Sequence, residues 1–107
     1  MIGSIVKIIV DRPKGSCHPE WPELLYPINY GFVKNTMALD GEEIDAYILG
    51  VNEPINEFTG KVVAIIHRMD DVEDKLVVAP CNMTFTRDEI EELTIFQEQY
   101  FKTDIEL

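Results

Sequence analysis

Five short runs rich in β-branched and aromatic residues, Ser4–Val10, Tyr26–Val33, Ile44–Val51, Lys61–His67 and Lys75–Ala79, are separated by stretches in which no regular element can continue. The sharpest break is PKGSCHPEWPE, Pro13 to Glu23, whose prolines and Gly15-Ser16 pair exclude both helix and strand and predict an ordered loop carrying Trp21. Pro27 makes the second run an edge or irregular strand. Lys34 to Glu42, with Asn35 and the Asp40-Gly41 pair, reads as a turn; NEPINEFTG reads as a connection, and Met69 to Asp74 as a polar turn. Short strands at this spacing predict a small barrel or sandwich. After Pro80 the period changes. Thr86 followed by Glu89 is a capping box, and Ile90, Leu93, Gln97 and Tyr100 follow helical spacing, with Phe96 and Phe101 widening the apolar stripe. The expected fold is mainly β (α+β), a small five-stranded barrel with a C-terminal helix, as one domain over residues 1–107.

The 107 residues suffice for one buried core, and 46% apolar with 27% charged residues is the balance of a globular protein. No apolar run reaches the roughly 18 residues of a membrane span, and MIGSIVKIIVDR reads as a strand rather than a leader, so a cytoplasmic location is expected. Cys17 and Cys81 stand far apart and outside any CxxC pattern, in keeping with a reducing compartment. A net charge of −11 disfavours nucleic acid and anionic lipid as partners and leaves metal-complexed anions open.

The most informative stretch for chemistry is Tyr26 to Asp45, YPINYGFVKNTMALDGEEID. Asp40, Glu42 and Asp45 lie within six residues, and in extended backbone Asp40 and Glu42 point the same way. Three like charges on one edge repel unless a cation or proton sits among them, and hard cations such as Mg2+ take several oxygen ligands. Taken alone, DGEE is equally an ordinary solvated turn. A second acidic group, Asp70, Asp71, Glu73 and Asp74, runs directly into Lys75. Two such turns at the same end of neighbouring strands would face one another around Mg2+, with a basic residue beside them for a bridging anion, which is the layout for phosphoryl chemistry.

In order along the chain, Asp11-Arg12-Pro13-Lys14-Gly15-Ser16, then Tyr26-Pro27-x-Asn29-Tyr30-Gly31-Phe32 with Asp40-Gly41-Glu42-x-x-Asp45, then MDDVEDK with VVAP, and finally FQEQYFK resemble the soluble inorganic pyrophosphatases. The family's corresponding signatures are EIPKGS, YPxNYGF with DGDPxD, an acidic segment closing on Asp-x-Lys, and FFExYK. The resemblance implies a five-stranded OB-like barrel, Mg2+-dependent hydrolysis of pyrophosphate to two phosphates, and a homo-oligomer. It puts Asp40, Glu42 and Asp45 on metal carboxylates, with Glu42 in place of an Asp that also contacts the attacking water. Asp70 or Asp71, together with Asp74, falls on a second metal-binding pair. Lys75, Tyr30 and Tyr100 fall on phosphate-contacting positions, and Asp11 stands where the family has a Glu near the site.

The chain departs from that pattern in ways that bear on the phosphate half of the site. The family's Lys-Tyr-Glu segment and the Arg-containing stretch before YPxNYGF are absent, Glu43 replaces a Pro, and the terminal Lys is displaced from Phe101 to Lys102. Arg12, Lys14 or Lys34 are the candidate replacements. The competing expectation is a non-catalytic domain that binds a metal and a phosphorylated ligand or protein partner. Cys17, His18, His67 and Cys81 do not match zinc-ligand spacing and read as a packed cysteine and surface histidine. Trp21 is expected to pack over the barrel end, and Phe96 and Tyr100 to join the core, with the Tyr100 hydroxyl free to reach an anion.

Overall fold

The computed structural model describes the chain except residues 35, 37–40, 71 and 72. The strands are β1 (Ile5–Arg12), β2 (Asn29–Val33), β3 (Asp45–Ile48), β4 (Glu57–Arg68), β5 (Asp74–Ala79) and β6 (Thr103–Glu106), with the helix α1 (Arg87–Glu98) between β5 and β6. They are ordered β1-β2-β3-β5-β4, and β1 also pairs with β4, so five strands close into a barrel; β6 adds to the far half of β4. All pairs are antiparallel except β3 with β5.

Closure depends on the length of β4. Its first half, Glu57 to Lys61, pairs with β1 and its second half, Lys61 to His67, with β5. NEPINEFTG was expected to be a connection, but its last four residues belong to this strand. Gly60 hides that continuity; it is buried, and the position needs glycine because a Cβ there would lie 2.3 Å from the Phe58 ring and 2.7 Å from the Ala79 carbonyl oxygen. Gly31 has the same kind of origin. A Cβ would fall 1.9 Å from the Ile9 carbonyl oxygen, where β1 and β2 approach most closely.

Alternation along the strands sorts side chains into two cores. Ile8, Val10, Val33, Ala46, Ile48, Val62, Leu76 and Val78 fill the barrel. Tyr30, Tyr47, Leu49, Ala64, Ile66 and Val77 point the other way and are covered by Ile90, Leu93 and Phe96 of α1. The expected capping box is present: the Glu89 amide donates to Thr86 Oγ1 at 3.2 Å, and the Thr86 amide to Glu89 Oε1 at 2.8 Å. The helix ends earlier than its apolar spacing predicts. The Tyr100 and Phe101 amides turn back onto the Gln97 and Glu98 carbonyls, and Tyr100, expected in the core, is 69% exposed. Among the described residues no helix is long and apolar enough to cross a membrane.

Asn29 ties two loops to the barrel. It is buried; its Oδ1 accepts from the Lys14 amide at 2.9 Å and the Ile55 amide at 3.3 Å, and its Nδ2 donates to the Glu53 carbonyl at 2.9 Å. The loop before Tyr26 is ordered as a small hairpin, closed by hydrogen bonds from the Gly15 amide to the Tyr26 carbonyl and from the His18 amide to the Leu24 carbonyl. Cys17 and Cys81 are both exposed free thiols.

Candidate active site

The site opens where α1 stops covering the sheet. Asp45 and Tyr47, Glu73, Lys75 and Val77, and Ile66 and Arg68 share the helix-facing surface by strand alternation. Beyond Phe96 that surface is bare of helix, and a cavity of about 590 Å³ lies there, with Arg12, Tyr30, Asp45, Arg68 and Lys75 in its lining.

Lys75 is its electrostatic centre. The residue is 2% exposed, and its Nζ donates to Asp45 Oδ2 at 2.6 Å and to Glu73 Oε2 at 2.9 Å. A buried ammonium survives only with such partners, and two carboxylates on one cation leave the group with a net negative charge. Tyr30 hydrogen-bonds to the same Asp45; burial first, and then the Asp45 charge, push its hydroxyl well above the usual tyrosine range, so it remains a neutral donor.

A second network floors the cavity. Arg68 Nε donates to Glu98 Oε1 at 3.0 Å and its Nη2 to Glu98 Oε2 at 2.7 Å, while the guanidinium lies 3.6 Å from the centre of the Phe101 ring. The Tyr47 hydroxyl donates to Glu98 Oε2 at 2.5 Å, Gln97 Nε2 donates to Tyr47 Oη at 2.7 Å, and the Tyr26 hydroxyl donates to Gln97 Oε1 at 2.6 Å. Arg12 Nη1 closes the chain on Tyr26 Oη at 2.8 Å. Arg12 reaches this face because β1 carries a bulge: Val10 pairs with Gly31 and Arg12 with Tyr30, and the extra Asp11 reverses the alternation.

The sequence candidates are distributed unevenly around this centre. Arg12, Tyr30, Asp45, Lys75 and Tyr100 line the cavity. Asp74 does not: on a strand it points opposite to Glu73 and Lys75, and it meets His67 Nδ1 at 3.1 Å on the outer side. Glu73 takes the place expected of Asp74. Lys14 extends its Nζ to the Asn52 carbonyl at 3.1 Å, away from the cavity. Asp70 is exposed and accepts the Lys102 amide at 3.3 Å. Lys102 and Glu42 are also exposed. Asp40 and Asp71 lie outside the described residues. Trp21, expected over the barrel end, instead stands 57% exposed at the cavity.

Arg68, Glu73 and Glu98 carry much of this geometry without having been singled out as ligands. Glu73 was detectable by its two-residue spacing from Lys75. Arg68 was detectable only as a cation at the end of an apolar strand.

The sequence from residue 3 to residue 105 matches the family model described as inorganic pyrophosphatase. The chain belongs to the inorganic pyrophosphatase family. It is 30% identical over 98 residues to the inorganic pyrophosphatase of Haemophilus influenzae, covering 73% of this chain and 55% of that one. It is 32% identical over 83 residues to soluble inorganic pyrophosphatase 2 of Chlamydomonas reinhardtii, covering 70% and 43%. The chain thus spans about half the length of these curated pyrophosphatases. The solved inorganic pyrophosphatase of Ehrlichia chaffeensis superposes with a TM-score of 0.73 at 17% identity, over 97% of this chain and 85% of that one. That of Helicobacter pylori gives 0.70 at 18%, over 99% and 88%. The pyrophosphatase fold is therefore present in this chain.

A metal-dependent pyrophosphatase site needs oxygen donors around a cation, and the described residues can be tested for them. Asp45 and Glu73 direct carboxylate oxygens at one point, the Lys75 ammonium, and every such donor is a hard oxygen. Among the described residues no group of three or more His, Cys, Asp or Glu side chains stands together to hold a metal ion, so these two carboxylates are a partial donor set.

Proposed function

We infer that this chain hydrolyses inorganic pyrophosphate to two orthophosphates in a Mg2+-dependent reaction. The observation that carries this reading is the convergence of Asp45 and Glu73 on Lys75 in a cavity that also presents Arg12 and Arg68, within a chain of pyrophosphatase sequence. Mg2+, if bound by Asp45 and Glu73 together with the sequence candidates Asp40 and Glu42, would supply an acidified water and neutralise phosphate oxygens.

The protein's own contribution is to hold the dianionic ends of the substrate. Lys75 sits at the base of the cavity, where its charge acts in a medium of low dielectric and is worth more than in water. Arg68 is oriented before substrate arrives, because Glu98 fixes two of its nitrogens and Phe101 fixes its plane, while Nη1 lies 3.8 Å from Glu73 Oε2 and so faces the Lys75 group. Arg12, anchored on Tyr26, is the third cation. These two arginines take over the phosphate-binding charge that the shortened segment before Tyr26 lacks. Tyr30 donates a neutral hydroxyl beside Asp45 and holds that carboxylate in position. Mg2+-dependent release of orthophosphate from pyrophosphate is the experiment that tests the assignment.

A further inference from the structure

Pyrophosphate with nine non-hydrogen atoms fills about 270 Å³ at the ~30 Å³ of a liquid water per atom, and the remainder of the roughly 590 Å³ cavity has room for metal ions with their waters and for a further group. The two ends of the cavity differ chemically. The inner end carries Arg12, Arg68 and Lys75. The outer end carries Trp21 and Tyr100, which line the cavity yet stay 57% and 69% exposed. Two large rings held open at the mouth of a cationic pocket are the complement of a planar group attached to a phosphate chain.

The position of Trp21 is built. The Leu24 amide donates to the Trp21 carbonyl at 2.8 Å, His18 to the Leu24 carbonyl at 2.9 Å, and the Cys17–Leu25 bridge closes the hairpin beneath. The His18 ring in turn stacks on buried Tyr26, with 6.4 Å between centroids and 17° between planes. The backbone that carries the indole is therefore an ordered turn, which lowers the cost of presenting it to a ligand.

We propose that this site also takes a nucleoside diphosphate, with the diphosphate on the three cations and the base against Trp21 and Tyr100. The proposal rests on the phosphoanhydride chemistry assigned above and extends its substrate class. The water oxygen bonds to the terminal phosphorus and the bridging P–O bond breaks. The nucleoside monophosphate leaves with the electron pair, and both hydrogens of the water end on the released orthophosphate. A polynucleotide is disfavoured by the net charge of −11.

Trp21 is the sole tryptophan, so intrinsic fluorescence reports this rim directly. The full chain with Mg2+ is titrated with ADP and with pyrophosphate, and phosphate release is measured from each. The expected result is saturable quenching by ADP and little by pyrophosphate. Trp21→Leu and Tyr100→Ala should each lower the ratio of kcat/KM for ADP to that for pyrophosphate by about tenfold, the size of one lost base-stacking contact. Both variants are checked by circular dichroism melting, and the two readouts stand independently of one another. Pyrophosphate turnover with no quenching by ADP, or an unchanged ratio in both variants, overturns the proposal and leaves the pyrophosphatase assignment intact. Quenching by ADP with no release from either compound keeps the binding mode and overturns the hydrolysis. Neither quenching nor release overturns both.

Discussion

Arg68 at the end of β4 and Glu98 at the end of α1 meet in a two-point pair, 3.0 and 2.7 Å, with both side chains buried. The pair fixes where the helix ends relative to the sheet and so sets the floor of the cavity. Breaking a buried pair on one side leaves an uncompensated charge, which costs about 3–5 kcal/mol. Arg68→Met is expected to lose stability in that range by urea denaturation, because Glu98 would retain only Tyr47 of these partners. The double variant Arg68→Met, Glu98→Leu recovers much of the loss. A double-variant loss equal to the sum of the Arg68→Met and Glu98→Leu losses would mean that the pair contributes no coupling.

Gly31 is required by space rather than by backbone conformation. Gly31→Ala is expected to destabilise the barrel by about 3 kcal/mol or more, since the contact at 1.9 Å is with backbone that cannot turn aside. A thermal melt within 2 °C of wild type, roughly the shift of half a kcal/mol in a domain of this size, would show that β1 and β2 can separate there.

His67 links three strands, with Nδ1 3.1 Å from Asp74 of β5 and Nε2 2.7 Å from Glu106 of β6. The Glu106 hydrogen bond, opposed by burial and helped by Asp74, raises its pKa above the ordinary 6.5. A raised folded-state value contributes stability that is complete below the unfolded pKa and is lost as pH rises through the folded one. Protection factors of the β6 amides, which divide out the intrinsic base catalysis of exchange, should therefore fall as pH rises above the ordinary histidine value of 6.5, and His67→Gln should abolish that fall. Because the group is partly exposed, the effect shrinks in high salt.

Lys75 neutralises part of the charge on Asp45 and Glu73 and supplies the deepest cation in the cavity. Lys75→Met is expected to lower kcat/KM for pyrophosphate by on the order of 10²–10³, the scale of losing one fixed electrostatic group. Arg68→Lys keeps the charge and loses the two-point geometry, so its loss should appear more in KM than in kcat. A Lys75→Met variant within threefold of wild type would remove Lys75 from the phosphate-binding group.

The barrel was legible in the sequence because short runs of β-branched and aromatic residues lie between prolines, glycines and acidic turns, and the helix because Thr86 and Glu89 announce its start. Its end was not legible. Tyr100 continues the helical spacing, but the chain turns after Glu98 and the ring stays outside. β6 escaped notice since TDIE is four residues long, largely exposed and without an apolar face, and it exists by pairing with β4. In the site, Tyr30, Asp45 and Lys75 were readable from the motifs that hold them. Choosing Glu73 over Asp74 required knowing that the strand begins at Asp74, which turns that side chain to the face opposite Lys75, while Glu73 just before it reaches the Lys75 ammonium at 2.9 Å. Arg68 and Glu98 were hidden because their partnership joins elements distant in the chain.

The proposed pyrophosphate hydrolysis depends on Arg12 and Arg68 holding phosphate in a chain that spans about half the length of its curated relatives. Its most direct test is steady-state release of orthophosphate from pyrophosphate with and without Mg2+, on wild type, Asp45→Asn and Arg68→Gln. The account predicts Mg2+-dependent turnover in wild type, loss of at least about 100-fold in Asp45→Asn and about tenfold or more in Arg68→Gln. No release from wild type at any Mg2+ concentration, or full turnover in Asp45→Asn, would contradict it.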